Sequence, residues 1–274
     1  VAAHGVSAYP ASGTPAMVRT VAAGRAGVST LAAAHGVSVR VLDVAVDDDL
    51  SDLPGSVTAR RVARGSGAIH VEDALPDEAV RTALALGRDV AREEVASGGR
   101  LLLGGDLGIG NTTPAAALVA ATLGLPAEEV VGRGTGVDDA GLTLKAQVVS
   151  DGVALHNNVP GDALDTLARL GGREIAAMAG AILRARTLRI PVILDGFICC
   201  SAAACLHGVS PDALDHCVAG HVSAESAHPA LLAKLGQEPL LTLGLRLGDA
   251  VGIVVESHDI STAGYQRPRG DGDD

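Results

Sequence analysis

The chain has 274 residues, of which 47% are hydrophobic and 19% charged, so it can build a large core and does not have a disordered composition. Its formal net charge of −11 argues against nucleic acid and anionic membranes as partners, because their phosphate groups would be repelled. The chain has no Trp, one Phe and two Tyr, so the core must consist of Ala, Val, Leu and Ile.

The first residue is Val1 rather than Met, and patterned sequence follows at once, so we expect that the N-terminus is missing. No signal peptide is visible, and the most apolar stretch, residues 190–206, contains Asp195 and is short for a membrane span. The four Cys lie close together without a C-x-x-C pair, which disfavours a metal site and predicts reduced core thiols. These features predict a cytoplasmic protein.

Apolar runs rich in β-branched residues predict buried parallel strands at residues 37–46, 99–105, 190–195 and 240–245. Helical patterns alternate with them, at residues 20–35, 78–97, 113–123, 162–170, 174–186, 211–218 and 229–235. This alternation predicts an α/β fold with a mainly parallel sheet and helices on both faces. Ligands of such sheets bind beyond the carboxyl ends of the strands, so the residues that follow each strand are the candidates for function.

A glycine-rich segment, GGDLGIGNTT (residues 104–113), follows a predicted strand and begins a helix. Gly108 and Gly110 allow the backbone to approach a ligand closely, and Asn111 and Thr112 add polar side chains at a helix N-terminus, which favours an anion. The spacing is neither that of a P-loop nor that of a dinucleotide-binding loop. The alternative is an ordinary strand–turn–helix with Asn111 or Thr112 as N-cap.

A second glycine-rich segment, GRGTGVDDAGLTLK (residues 132–145), is a further candidate for anion binding. Asp138 and Asp139 are placed to cap the helix that carries Lys145. The alternative is a flexible loop before a capped surface helix, with a solvated lysine.

Three later segments carry polar side chains. Asp195 ends a predicted strand, and Asp249 follows the last one, although either residue could be a turn or loop carboxylate. The segment HVSAESAH (residues 221–228) combines Ser223, Glu225 and His228, but it lacks the nucleophile elbow of a serine hydrolase. Ser223 is therefore interpreted as a hydroxyl donor. Residues 171–179 suit close helix packing, which favours a structural role.

Seven segments together resemble one protein family. They are VSAYP (residues 6–10), GGDLGIGNTTPAAAL (104–118), GRGTGVDDAGLTLK (132–145), GGREIAAMAGA (171–181), IPVILDGFI (190–198), HVSAE (221–225) and LLTLGLRLGD (240–249). On these segments the chain is similar to the nicotinate-nucleotide–dimethylbenzimidazole phosphoribosyltransferase family, which makes the lower ligand of cobalamin. The matches extend to about residue 250, and several long motifs in order are more specific than any one of them.

The resemblance implies a Rossmann-like parallel sheet with an incomplete small helical lobe, in a homodimer without metal or cofactor. We expect one domain over residues 1–255 and a divergent, disordered tail over residues 256–274. The implied reaction moves the phosphoribosyl group of nicotinate mononucleotide to 5,6-dimethylbenzimidazole or a related base, which releases nicotinate.

The resemblance also assigns roles to individual residues. Asp249 would be the general base, Asp106 would stabilise positive charge on the ribose, and Lys145 would complete the catalytic set. The phosphate would be bound by Gly108, Gly110, Asn111, Thr112, Gly134, Gly136 and Ser223. The pocket for the aromatic base would include Tyr9, Met17, Leu107 and Leu247.

Both carboxylates depart from the family, which has Glu where this chain has Asp106 and Asp249. A shorter side chain must still come within about 3 Å of the proton that it takes. The alternative function is therefore a non-catalytic or partner-dependent nucleotide-binding relative. A dinucleotide oxidoreductase is disfavoured, because the G-x-G-x-x-G loop that it needs is absent.

Overall fold

The structure, a computed structural model, describes residues 1–156 and 163–242. The described residues form a parallel sheet of four strands in the order β1-β2-β3-β4. The strands are β1 (Leu102–Gly104), β2 (Val192–Leu194), β3 (Cys217–His221) and β4 (Pro239–Leu241). All pairings are parallel, so the carboxyl ends of the four strands lie at one edge of the sheet.

Helices occupy most of the remaining described sequence. They are α1 (Gly13–Ala22), α2 (Gly27–His35), α3 (Gly55–Thr58), α4 (Asp77–Ala96), α5 (Thr112–Leu123), α6 (Ala127–Val130), α7 (Asp139–His156), α8 (Ala163–Leu170), α9 (Arg173–Leu188), α10 (Phe197–Val209) and α11 (His228–Lys234). This alternation of helices with parallel strands confirms the predicted α/β class.

The sheet is covered on both faces at its centre. Val192, Ile193 and Leu194 of β2 are all buried, although neighbouring residues of a strand point to opposite faces. The main core joins β2 and β3 to α5, α9 and α10, and it consists mostly of Ala, Val, Leu and Ile. The core is therefore formed by closely packed aliphatic side chains, many of them small, and contains few aromatic rings.

The helices α4 and α9 pack at a distance that glycine permits. A Cβ added to Gly87 would lie 1.8 Å from the carbonyl oxygen of Ala177, and one added to Gly180 would lie 2.1 Å from that of Leu84. These contacts are with backbone atoms, which cannot move aside as a side chain can. The two glycines therefore set the separation of these helices.

The N-terminal region has small apolar clusters of its own, one around Val21 and one around Leu50. It is joined to α4 by Arg40, which donates to Glu93 at 2.8 Å and to Glu94 at 2.9 Å. This arrangement agrees with a smaller helical lobe beside the sheet.

Three predictions of secondary structure were wrong. The single helix predicted over residues 20–35 is the end of α1 and all of α2, which residues 23–26 separate. Residues 37–46 form no strand, because Val37, Val41 and Val46 pack individually into the small clusters and Asp43 is buried against Arg61 at 2.5 Å. Residues 211–218, predicted as a helix, form a short 3-10 helix (Pro211–Leu214) and then the start of β3. The helix α10 was not predicted, since its uniform apolarity shows no period.

All four cysteines fall within the described residues, are buried and form no disulfide. In the part of the chain that the structure describes, no helix has both the length and the apolarity needed to cross a bilayer. The domain limits, 1–255 with a tail over 256–274, stay a prediction, because residues 243–274 lie outside the described ones.

Replacement of Gly180 by Ala is expected to lower the free energy of unfolding by about 3 kcal/mol, because the new methyl group overlaps the α4 backbone. Gly55→Ala is the matched control, since a Cβ there meets no atom within 4 Å and its φ is not left-handed. It should leave stability unchanged or raise it by about 0.5 kcal/mol. Urea unfolding of both variants tests this, and equal losses would contradict the close packing.

Candidate functional site

Polar side chains gather at the carboxyl edge of the sheet. Asp106 follows β1, Asp195 follows β2, and Ser223 follows β3. A Cβ on Gly196 would lie 3.7 Å from Cβ of Ser223, so the ends of β2 and β3 are in contact there. β4 ends at the same edge; Asp249 and Leu247 come after it and lie outside the described residues.

The first glycine loop (residues 105–111) is organised by the carboxylate of Asp106. This carboxylate accepts hydrogen bonds from the backbone N–H of Gly108 at 3.0 Å and from the side-chain amide of Asn111 at 2.5 Å. Burial raises the pKa of Asp106, although both hydrogen bonds oppose that effect. Asn111 precedes α5 but makes no side-chain capping bond, so its amide serves the loop instead.

The N-terminal region lies against this loop. The N–H of Ile109 donates to the hydroxyl of Thr14 at 3.0 Å. Gly110 has a φ of +86°, and a Cβ there would lie 3.3 Å from Cβ of Ala2. A side chain at position 110 would therefore be strained and crowded.

Lys145 joins the two glycine-rich segments. Its side chain is only 1% exposed, and its Nζ donates to Oγ1 of Thr112 at 2.6 Å and to the carbonyl oxygen of Gly132 at 2.8 Å. Burial lowers the pKa of Lys145, and the negative charge of Glu225 acts in the opposite direction. The structure thus contradicts the alternative of a solvated surface lysine.

The second glycine loop (residues 132–137) leads into α7, whose N-terminus is capped as predicted. Asp138 accepts a hydrogen bond from the N–H of Gly141 at 2.8 Å. Gly134 and Gly136 have φ values of +52° and +114°, which L-residues with a side chain rarely adopt. A Cβ on Gly134 would lie 3.2 Å from Oγ1 of Thr112, so the two loops are in direct contact.

Glu225 belongs to this site, although it was absent from the predicted set. Its Oε1 accepts a hydrogen bond from the N–H of Gly134 at 3.1 Å. Its Oε2 is buried and has no hydrogen-bond partner among the described residues. A Cβ on Gly132 would lie 2.0 Å from that oxygen, so the carboxylate fills the space beside this glycine. The sequence feature that could have identified Glu225 is its position two residues after Ser223, which was a predicted site residue.

Glu174 was also missed, because residues 171–179 were assigned a structural role. Burial and the negative charge of Asp106 raise the pKa of Glu174 to about 7. The carboxyl groups of Glu174 and Asp106 therefore interact, and the negative charge of Asp106 disfavours ionisation of Glu174. The sequence signal was a Glu at the start of a helix, which is usually attributed to the helix dipole.

The predicted base pocket is not assembled by any described contact. Tyr9 is 55% exposed and Met17 is 37% exposed. Leu107 is partly buried and packs against both small clusters of the N-terminal region. The assignment of these three residues to an aromatic pocket stays a prediction.

The assembled groups suit an anionic ligand of moderate size. They combine a buried ammonium group, two glycine loops that admit close approach and the hydroxyl groups of Thr112 and Ser223. Carboxylates at the same edge are available for proton transfer or for stabilisation of positive charge. Within the described residues, no cluster of three or more His, Cys, Asp or Glu is arranged to hold a metal ion.

Comparisons with known proteins agree on one family. A phosphoribosyltransferase family model matches residues 1–264. The chain is 47% identical over 263 residues to the nicotinate-nucleotide–dimethylbenzimidazole phosphoribosyltransferase of Cereibacter sphaeroides, which covers 96% of this chain and 72% of that protein. It is 50% identical over 252 residues to the protein of that name from Ruegeria pomeroyi, with 92% and 68% covered.

Solved structures give the same result. The crystal structure of CobT from Thermus thermophilus matches with a TM-score of 0.88 and 41% identity, over 98% of this chain and 84% of that one. A second structure from this organism, described as the phosphoribosyltransferase named above, matches with a TM-score of 0.86 and 39% identity, over 97% and 82% of the two chains.

The contact between Gly132 and Glu225 predicts non-additive mutations. Gly132→Ala would push the Glu225 carboxylate off the N–H of Gly134, so it should mimic Glu225→Ala, with a loss of about 1 kcal/mol each in the free energy of unfolding. The double variant should then lose about 1 kcal/mol less than the sum of the single losses. Urea unfolding measures all three, and simple additivity would show that the two residues act independently.

The raised pKa of Glu174 predicts a particular pH dependence of stability. Its pKa is higher in the folded chain than its usual 4.5, so this group favours folding at low pH and loses that effect as pH rises to about 7. Wild type should therefore lose stability relative to Glu174→Gln between about pH 5 and pH 8, by an amount of the order of 1 kcal/mol. Urea unfolding at both pH values measures it.

Glu78→Gln, which alters an exposed carboxyl at the start of α4, is the control. It should track wild type at both pH values. If the two variants behave alike, the proton affinity attributed to Glu174 is wrong.

Proposed function

Because the chain belongs to the nicotinate-nucleotide–dimethylbenzimidazole phosphoribosyltransferase family, we propose that it carries out the reaction for which this family is named. A ring nitrogen of the benzimidazole attacks C1′ of the ribose in nicotinate mononucleotide. The C1′–N bond to nicotinate breaks, and the N–H proton of the incoming base passes to a carboxylate. The products are α-ribazole 5′-phosphate and nicotinate. Identities of 46–50% to relatives with this name favour catalysis over the alternative of a non-catalytic relative.

The observation that carries the proposal is the buried bridge from Lys145 to Thr112 and Gly132. It holds the two glycine loops together where a phosphate would bind, beyond the carboxyl ends of the strands. We assign the phosphate to Gly108, Gly110, Asn111, Thr112, Gly134, Gly136 and Ser223.

Within that set the glycines and the hydroxyl groups contribute in different ways. The N–H groups of Gly108 and Gly134 already donate to Asp106 and Glu225. These two glycines therefore serve mainly by the lack of a side chain, which lets the phosphate come close. In this assignment, Thr112 and Ser223 supply hydroxyl donors.

Asp249 is our candidate for the general base and Asp106 for the group that stabilises positive charge on the ribose. Two facts support this assignment. Asp106 is held in place by two hydrogen bonds, and β4, after which Asp249 follows, ends at the same edge of the sheet as β1. Anchoring of the phosphate would fix C1′ for in-line attack, which is the positional part of catalysis.

The remaining assignments rest on the family. We propose that Tyr9, Met17, Leu107 and Leu247 contact the aromatic base, and that the protein is a homodimer that needs neither metal nor cofactor. A cytoplasmic location agrees with four buried cysteines that form no disulfide.

Purified protein should release nicotinate from nicotinate mononucleotide when dimethylbenzimidazole is present. Asp249→Ala should lower kcat by about 10²- to 10⁴-fold, because the general base is lost. The KM for the nucleotide should change little, since the phosphate contacts remain. Chromatographic assay of nicotinate measures both constants.

Asp89→Ala, an exposed carboxylate of α4, is the control and should retain wild-type kinetics. A lack of nicotinate release by wild type, above the level of boiled protein, would reject the proposed reaction. Equal loss of binding and turnover in Asp249→Ala would reject Asp249 as the base.

A further inference from the structure

Ser223 is held in place by the side chain of His228. The backbone N–H of Ser223 donates to Nδ1 of this histidine at 2.9 Å, across the turn that joins β3 to α11. The same turn is closed by the N–H of His228, which donates to the carbonyl oxygen of Glu225 at 3.0 Å. The loop that carries the Ser223 hydroxyl is thus stabilised by a hydrogen bond to the side chain of His228, five residues later in the chain.

These contacts determine the tautomer of His228. A backbone N–H can only donate, so Nδ1 must carry the lone pair and Nε2 the proton. Nε2 lies 3.3 Å from Sγ of Cys200, and this sulfur can accept a hydrogen bond from the Nε2–H group. Nδ1 of His228 therefore acts only as a hydrogen-bond acceptor, and Nε2 acts only as a donor.

The ring of His228 is buried and packs against an aromatic side chain. His228 is 0% exposed, and the edge of its ring meets Phe197 of α10, with centroids 6.1 Å apart. Burial, with a smaller effect of His221, lowers the pKa of His228 to about 4. The acceptor at Nδ1 is thus present at every pH near neutrality.

The loop is also hydrogen-bonded to the end of α6 and to the second glycine loop. Oγ of Ser226 donates to the carbonyl oxygens of Glu129 at 3.3 Å and Val131 at 3.4 Å, and Glu225 accepts from the N–H of Gly134 at 3.1 Å. A displacement of Ser223 would therefore also displace the partner of Gly134.

We propose that His228 is a positioning residue, which orients Ser223 toward the nucleotide phosphate through its Nδ1 and is itself oriented by Cys200. This inference rests on the proposed function, since it assumes that Ser223 contacts the phosphate. The last His of HVSAESAH, His228, thus orients Ser223, and Ser223 needs this orientation to contact the phosphate.

Steady-state kinetics of His228→Leu and His228→Asn test the proposal. Leu removes the acceptor, so the KM for nicotinate mononucleotide should rise by about 10- to 100-fold, because a phosphate ligand is misplaced. The KM for dimethylbenzimidazole should stay within about threefold. Asn places its Oδ1 near the position of Nδ1, so it should restore most of the loss. Equal defects in Leu and Asn, or equal rises in both KM values, would overturn the proposal.

Cys200 offers a matched pair of variants. Cys200→Ala removes the partner of Nε2 and should raise the same KM by a smaller factor than His228→Leu. Cys205→Ala removes a buried thiol of the same helix that donates to the carbonyl oxygen of Ser201 instead, and it should leave that KM unchanged. Equal effects of the two would mean that Cys200 acts only through packing.

Nitrogen-15 NMR of the wild-type imidazoles tests the tautomer without any variant or any turnover. The signals of His228 should show an unprotonated Nδ1 and a protonated Nε2 at neutral pH. A protonated Nδ1 would overturn the proposal even if every variant failed to fold. Absence of nicotinate release by wild type would instead reject the proposed reaction, and calorimetric binding of nicotinate mononucleotide to the variants would then decide the role of His228.

Discussion

A single buried ammonium group holds the candidate site together. Lys145 reaches from α7 to the hydroxyl of Thr112 at the start of α5 and to a carbonyl oxygen of the second glycine loop. A buried charge is costly unless it is hydrogen-bonded, so the positions of both partners are constrained by it. The two loops consequently meet at one point, and the glycines at that point leave room for a ligand instead of a side chain.

Near this bridge, carboxylates accept hydrogen bonds from backbone N–H groups that could otherwise donate to a bound anion. Asp106 occupies the N–H of Gly108, and Glu225 occupies that of Gly134. With Glu174 they bring three carboxyl groups to the candidate site, in a chain whose net charge is −11. This combination suits a reaction in which positive charge develops on a sugar while its phosphate is held by a few donors.

Much of the fold and part of the site could be predicted from particular residues. The strands near residues 102 and 192 and the long helices α4, α5 and α9 followed from apolar runs and helical periods. The strand predicted over residues 37–46 was wrong, because alternating Val residues pack equally well in an irregular segment that has no neighbouring strand. Glu225 and Glu174 were missed, since nothing in their local sequence indicates which loop they face.

The α/β class, the two glycine loops and the family can all be predicted from the amino-acid sequence, because these depend on local pattern and on motifs in linear order. Which side chains come into contact depends on how the chain packs in three dimensions. Lys145 and Thr112 are 33 residues apart, Glu225 and Gly134 are 91 apart, and His228 and Cys200 are 28 apart. Such pairs are formed by the packing of helices on a parallel sheet, and the burial that lowers the pKa of Lys145 and of His228 exists only after that packing is complete.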